Sequence, residues 1–287
     1  MRVLGLEDIC IHQVCFSGQA GFAESLAALG RHGISLTAVW KPMLDEVGIA
    51  TARRLLADHG IGVTSLCAAE LSAGVDHCFA MAEQAAELGA ASLVLISGGF
   101  DHQQTSLEAA REHSLEALSL VAERCKGVPL RLALEPLHPM VCGLRSVICS
   151  LAEANTMLDQ LDSRLPGHQV GLAIDSYALW WEADIGIQLG RAGGSVSATA
   201  SDNTERPTGN RILNYHVSDW LSETRDIRLD RGMPGDGIIA LPAWRRQIEA
   251  TGFSGPVEIE IFSSLDWWQR PADALIETVL ERKNRFF

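Results

Sequence analysis

The feature that most constrains this chain is a repeated exchange of two hydrophobic periods. Short β-rich runs appear eight times: CIHQVCF (10–16), SLTAVW (35–40), GVTSLCA (62–68) and SLVLIS (92–97), then LRLALEPL (130–137), VGLAID (170–175), ILNYHVSD (212–219) and PVEIEIF (256–262). Between them lie stretches with helical spacing, among them GFAESLAALGRHG and SLEAAREHSLEALSLVAERC. Gly33, Gly60, Gly89 and Gly252 stand where helices end, which suits a left-handed cap. Strict alternation of strand and helix predicts a parallel sheet covered by helices, and eight units in 287 residues fit a closed (β/α)8 TIM barrel. The first βα turn lacks the G-x-G-x-x-G signature of an open dinucleotide-binding sheet. No linker divides the chain, so residues 1–287 are read as one domain. A Ser/Thr/Asn/Gly-rich, aperiodic stretch at about 194–210 is expected to be a flexible insertion at the bottom of the barrel.

In such a barrel the outer strand face packs under helices and must be apolar, while the inner face opens at the strand C-termini into the active-site mouth. In LRLALEP, Leu130, Leu132 and Leu134 take the helix side, which turns Arg131, Ala133 and Glu135 inward. By the same argument Asp175 faces inward from GLAID. Leu213, Tyr215 and Val217 face out, turning Asn214, His216 and Ser218 in. Val257, Ile259 and Ile261 send Glu258 and Glu260 inward, with Glu260 nearer the mouth. Four successive strands each deliver one metal-binding group: Glu135, Asp175, His216 and Glu260. Three carboxylates and an imidazole in one cavity repel and raise one another's pKa, a conflict that a divalent cation removes. This hard set suits Mn²⁺, Mg²⁺ or Co²⁺, with Zn²⁺ the remaining option. Glu258 lies one layer deeper and is expected to form a buried pair with Arg131. His12 and His138 are further candidates, each weighed against a hydrogen-bonded structural role; His138 is kept among the substrate contacts.

Composition narrows the partners. A net charge of −13 opposes attraction to nucleic acid and anionic membranes, though one or two local arginines could still hold an anionic substrate. No apolar run approaches a bilayer span, and Glu7 and Asp8 interrupt the N-terminus where a signal peptide needs apolar residues. A cytoplasmic enzyme is expected. The seven cysteines are odd in number, never form C-x-x-C, and are read as buried thiols.

The stretches LEPLHP, YHVSDW, RGMPGDG and GPVEIEIF resemble the xylose isomerase-like TIM-barrel superfamily of sugar isomerases and epimerases, which includes ketose 3-epimerases and inosose-processing enzymes. The resemblance spans essentially the whole chain. It implies that Glu135, Asp175, His216 and Glu260 bind one divalent metal, and that Arg231 in RGMPG contacts substrate. One position departs: the epimerases carry a substrate-binding His in D-x-x-H, and here DSYALWW has Ala178.

The residues suggest a mechanism. Isomerisation and carbonyl-adjacent epimerisation both require loss of a weakly acidic C–H proton. Glu135 and Glu260, from strands three apart, can approach opposite faces of a small carbohydrate and form the acid/base pair, while a metal stabilises the developing enediolate. Trp40 and Trp180 are expected to wall the mouth, because aromatic faces stack on sugar C–H surfaces. Exposed tryptophans there could also pack against a second subunit in a homo-oligomer. The alternatives are a dehydratase acting on a cyclic polyol (inosose-type) and a non-catalytic sugar- or metal-binding barrel. An apurinic-site endonuclease, which needs a basic DNA-binding surface, fits poorly with 36 acidic against 23 basic residues.

Overall fold

The computed structural model describes residues 1–100, 106–194 and 209–287. Seven strands follow in order along the chain: β1 (Ile9–Ile11), β2 (Leu36–Trp40), β3 (Gly62–Glu70), β4 (Ser92–Ile96), β5 (Arg131–Leu134), β6 (Val170–Asp175) and β7 (Ile212–Val217). A small antiparallel ribbon of β8 (Asp219–Trp220) and β9 (Arg231–Gly232) comes next, before the last strand, β10 (Val257–Ile259). Strands β1 to β7 and β10 close into one barrel whose neighbours all run parallel, with β10 joining β7 to β1. Closure leaves no edge strand in the barrel. It is a single TIM-barrel domain, as the alternation of periods requires.

The predicted run at β6 forms a strand over all its residues, but the first run is strand only at Cys10 and Ile11 and the last only over Val257–Ile259. At the first, Gln13–Phe16 coil into a 3₁₀ turn whose four residues are all buried. At the last, Glu260 lies just past the strand, on the rim. Gly60 and Gly89 end their helices in the left-handed region, with φ of 63° and 74°, where a side chain would be strained.

The facing rule holds for β5, β6 and β10: Leu132, Leu134, Leu172, Ile174, Val257 and Ile259 pack in the shell beneath the helices. Ala133 and Ala173 instead join Val94 and Cys67 in a small apolar plug inside the barrel. Leu213 departs from the expected outward position. The β6–β7 register shifts between Leu172 and Ala173, so Leu172 pairs with Ile212 but Ala173 with Asn214. This bulge lets Leu213 pack against the inner plug. Gly171 makes room for it, since a Cβ there would lie 2.7 Å from Leu213 Cγ. Beyond the bulge the expected phase resumes, with Tyr215 and Val217 outward.

All seven cysteines are free; six are buried, and Cys142 is exposed. Among the described residues no helix is long and apolar enough to cross a membrane. The insertion expected at about 194–210 lies, from 195 to 208, outside the described residues.

A buried arginine ties the two ends of the chain together. Arg245 donates from Nη1 to the Phe287 carbonyl at 2.9 Å, from Nε to Glu249 Oε1 at 2.8 Å, and from Nη2 to the Arg2 carbonyl. Replacing it leaves buried acceptors without a donor. Arg245→Met should therefore cost about 3 kcal/mol, read as a lower urea midpoint at unchanged slope.

Candidate active site

The strand ends bring the expected polar residues to one rim. Glu135 follows β5, Asp175 ends β6, His216 is on β7, and Glu260 follows β10; all four are buried. Donor atoms of Glu135, His216 and Glu260 lie within 4.8 Å of one another. His216 Nδ1 is 2.8 Å from Glu135 Oε1. Asp175 is not part of this close group. Arg231 stands between it and Glu260: Nη1 donates to Asp175 Oδ2 at 3.0 Å and to Glu260 Oε2 at 2.9 Å. The other Asp175 oxygen accepts from the Tyr177 amide at 2.9 Å. The structure thus gathers three of the four expected ligands directly and reaches the fourth through a guanidinium.

Glu258, one layer down, is not paired with Arg131. Arg131 begins β5 and its side chain is exposed at the lower end of the barrel, beyond reach of the buried carboxylate. Neutral donors and one histidine hold Glu258 instead. Thr64 Oγ1 and Asn214 Nδ2 each donate at 2.8 Å, and His12 Nε2 is 3.2 Å away. The other ring nitrogen of His12 is 3.3 Å from Glu260 Oε1, so this imidazole joins the two carboxylate layers. The sequence offered His12 as a candidate beside a hydrogen-bonded structural role; its place just past β1, linking Glu258 to Glu260, came only with the fold.

The charges determine one another's ionisation. Burial pushes Asp175 up to about 6, with Arg231 opposing and Glu260 and Glu135 adding to the rise. Burial disfavours charge on His216, but the Glu135 and Glu260 carboxylates outweigh it and lift the imidazole to about 10. Burial likewise opposes charge on Glu260, yet His216 and Arg231 hold its carboxyl well below the ordinary range. Excess negative charge is being met by protons and a guanidinium, which is the situation a divalent cation relieves. The donor set fits such an ion: two carboxylates and an imidazole in reach of one point, with Asp175 beside them. Two other groupings, His12–Cys67–His216 and Cys10–His12–Glu258, are also buried.

Above the carboxylates opens a cavity of about 290 Å³, with Glu135, Glu260 and Arg231 at its floor and Trp40, Phe262 and Leu137 on its walls. Trp40 and Arg231 therefore meet the cavity as expected. Trp180 and His138 do not line it. His138 stacks on Trp220 with centroids 4.7 Å apart, and Trp180 lies 5.5 Å from the same ring. Trp220 in turn packs 4.8 Å from Tyr177, whose face lies 4.5 Å beneath the Arg231 guanidinium. Their aromatic surface is thus turned to propping Arg231 from behind. Burial and the nearby Arg231 charge hold His138 down at about 4.

Arg231 owes its place to a hub on the paired strand β8, which holds the turn that follows Arg231. The buried Asp219 carboxylate accepts from the amides of Gly235 and Gly237 at 2.9 Å and of Ile239 at 3.0 Å, which folds GMPGDG back over β8. Gly237 is required there, because a Cβ would lie 2.2 Å from the Trp220 carbonyl.

A family model described as xylose isomerase-like TIM barrel matches residues 23–280. The chain belongs to this family. Protein SMc04130 from Sinorhizobium meliloti 1021 is similar over 98% of this chain and 99% of its own, at 35% identity and a TM-score of 0.88. The IOLI protein, whose structure holds a zinc atom, matches at 18% identity and a TM-score of 0.76, covering 98% of this chain and 99% of its own. The 3-keto-D-glucoside 4-epimerase YcjR from E. coli matches at 17% and 0.70, covering 96% and 98%. At such identities the last two show the fold alone. No curated protein sequence matches this chain.

Coordination through a ring nitrogen of His216 requires that nitrogen unprotonated, whereas in the metal-free protein the ring stays charged up to about pH 10. Adding Mn²⁺ at pH 8 in weak buffer should release about one proton per ion bound, and the release should fade as the pH is raised through 10. Titration with a pH indicator measures it.

Proposed function

We propose that this protein is a divalent-cation-dependent isomerase or epimerase of a sugar or sugar derivative. The observation that carries this reading is that Glu135 and Glu260 both face one cavity while sharing reach of a single point with His216. Glu135, Asp175, His216 and Glu260 would hold the ion; Mn²⁺, Mg²⁺ and Co²⁺ suit the donors best, and the zinc atom of the IOLI structure keeps Zn²⁺ among them. Bound there, it would polarise the substrate carbonyl and make the adjacent C–H more acidic.

The chain's own residues supply the rest. One glutamate takes the proton from the carbon beside the carbonyl and the other returns one, to the opposite face in an epimerisation or to the neighbouring carbon in an isomerisation. Arg231 binds Glu260 and Asp175 through one nitrogen, Nη1, and its guanidinium borders the cavity floor, where it can meet a substrate oxygen. Trp40 and Phe262 give apolar walls against a sugar ring and exclude water from the carboxylates. The epimerase activity named for YcjR accords with this chemistry.

Ala178 favours a second reading. It is buried in the shell beneath the helices, so the D-x-x-H position sends no donor to the cavity. A substrate needing fewer donors, such as a cyclic polyol that loses water after the same proton abstraction, accords with that. The product separates the two: dehydration yields an unsaturated compound absorbing in the ultraviolet, and isomerisation does not.

With Mn²⁺ and a panel of sugars in D₂O, the wild type should wash deuterium into the carbon beside the carbonyl. Glu135→Gln should slow that exchange by about 10²-fold or more while retaining the far-UV spectrum, because a positioned acid/base group contributes on that order. Full exchange in the variant would remove Glu135 from the chemistry.

A further inference from the structure

The cavity has two electrostatic zones. Its floor holds Glu135, Glu260 and Arg231, and its outer wall carries Arg145, Arg228, Lys41 and Glu70. The floor is self-sufficient once a divalent ion binds, for the two charges of the ion and the one of Arg231 balance Glu135, Asp175 and Glu260. The wall is not. Lys41 is paired with Asp45, one turn along its own helix. Arg145 meets Glu70 only loosely, Nη2 to Oε1 at 3.6 Å, with both side chains a third or more exposed. Arg228 makes no ion pair among the described residues, and its neighbours Arg145 and Arg231 press positive charge upon it.

Like charges gathered on the wall of a half-enclosed cavity repel, and Glu70 and Asp226 offset them only in part: the Arg145 and Arg231 charges weigh more on Arg228 than these two carboxylates do. The cluster also runs against the grain of the molecule, whose net charge is −13. We propose that the substrate carries an anionic group, a phosphate monoester or a carboxylate, which Arg228 and Arg145 hold at the outer wall while its carbonyl end reaches Glu135 and Glu260. This rests on the isomerase reading for the reacting end, but the anion site stands on the wall residues alone. Guanidinium forks match both oxyanions in geometry. About 290 Å³ between floor and wall suits a small sugar derivative.

The test compares matched compounds on the Mn²⁺-loaded full chain: a ketose, its terminal phosphate ester and a sugar acid of similar length. Deuterium exchange from D₂O is followed for each, and binding of inorganic phosphate and of glucuronate is measured by calorimetry. The charged partner should exchange with at least about tenfold higher kcat/KM, and the advantage should shrink as salt is raised. Arg228→Gln should remove most of that advantage, and Arg228→Lys should keep part of it. Which charged compound wins tells phosphate from carboxylate. Equal or faster exchange of the neutral sugar overturns the proposal and leaves the isomerase reading intact. Exchange with none of the compounds, alongside phosphate or glucuronate binding that is lost in Arg145→Gln/Arg228→Gln, overturns the isomerase reading and supports the anion site. Binding of neither probe by the wild type overturns the anion site.

Discussion

Four carboxylates share the upper half of one barrel interior, and the cost of keeping them out of water organises nearly everything around them. Isolated, each would have to take up a proton or draw in a counter-charge. The protein separates them into two tiers with different answers. Glu258 is satisfied internally by Thr64, Asn214 and His12, with little left to offer a ligand. Glu135, Asp175 and Glu260 are met by charged partners, His216 and Arg231, of which at least the imidazole proton can be exchanged for a metal ion. The lower tier works as a fixed support and the upper tier as the adjustable one. His12 touches both, so movement of Glu258 would be transmitted to Glu260.

Much of this could be read from strand phase alone. Glu135, Asp175, His216 and Glu260 were legible because the outer face of a barrel strand has to be apolar, leaving each polar neighbour one direction to point. Phase says in or out, and says nothing of height. Arg131 and Glu258 were both assigned to the interior, yet one sits at the first residue of its strand and opens to solvent. Leu213 failed for another reason: a bulge inserts one residue and turns Leu213 inward, and its trace in the sequence is a glycine on the neighbouring strand, Gly171. The aromatic residues were harder still. Trp180 and His138 follow strand ends that feed the mouth, but their faces meet Trp220, a partner brought near only by the β8–β9 ribbon. The guanidinium between Asp175 and Glu260 depends on the same ribbon, whose folding is set by contacts between residues far apart in sequence.

The turn between β8 and β9 is pinned at both ends by unrelated means. Asp219 gathers the amides beyond β9, and the buried Asp230 is clasped by the Arg225 side chain and backbone amide. The stretch from Leu221 to Leu229, tethered at its middle by Tyr177 to the Ile227 carbonyl, hangs between these anchors like a panel on two hinges. Arg228 belongs to the panel, whereas Arg231 belongs to the frame. Evolution could therefore rewrite the panel, changing which molecules are admitted, without disturbing the parts that act on them; descendants of one such ancestor could diverge in diet while keeping a common engine.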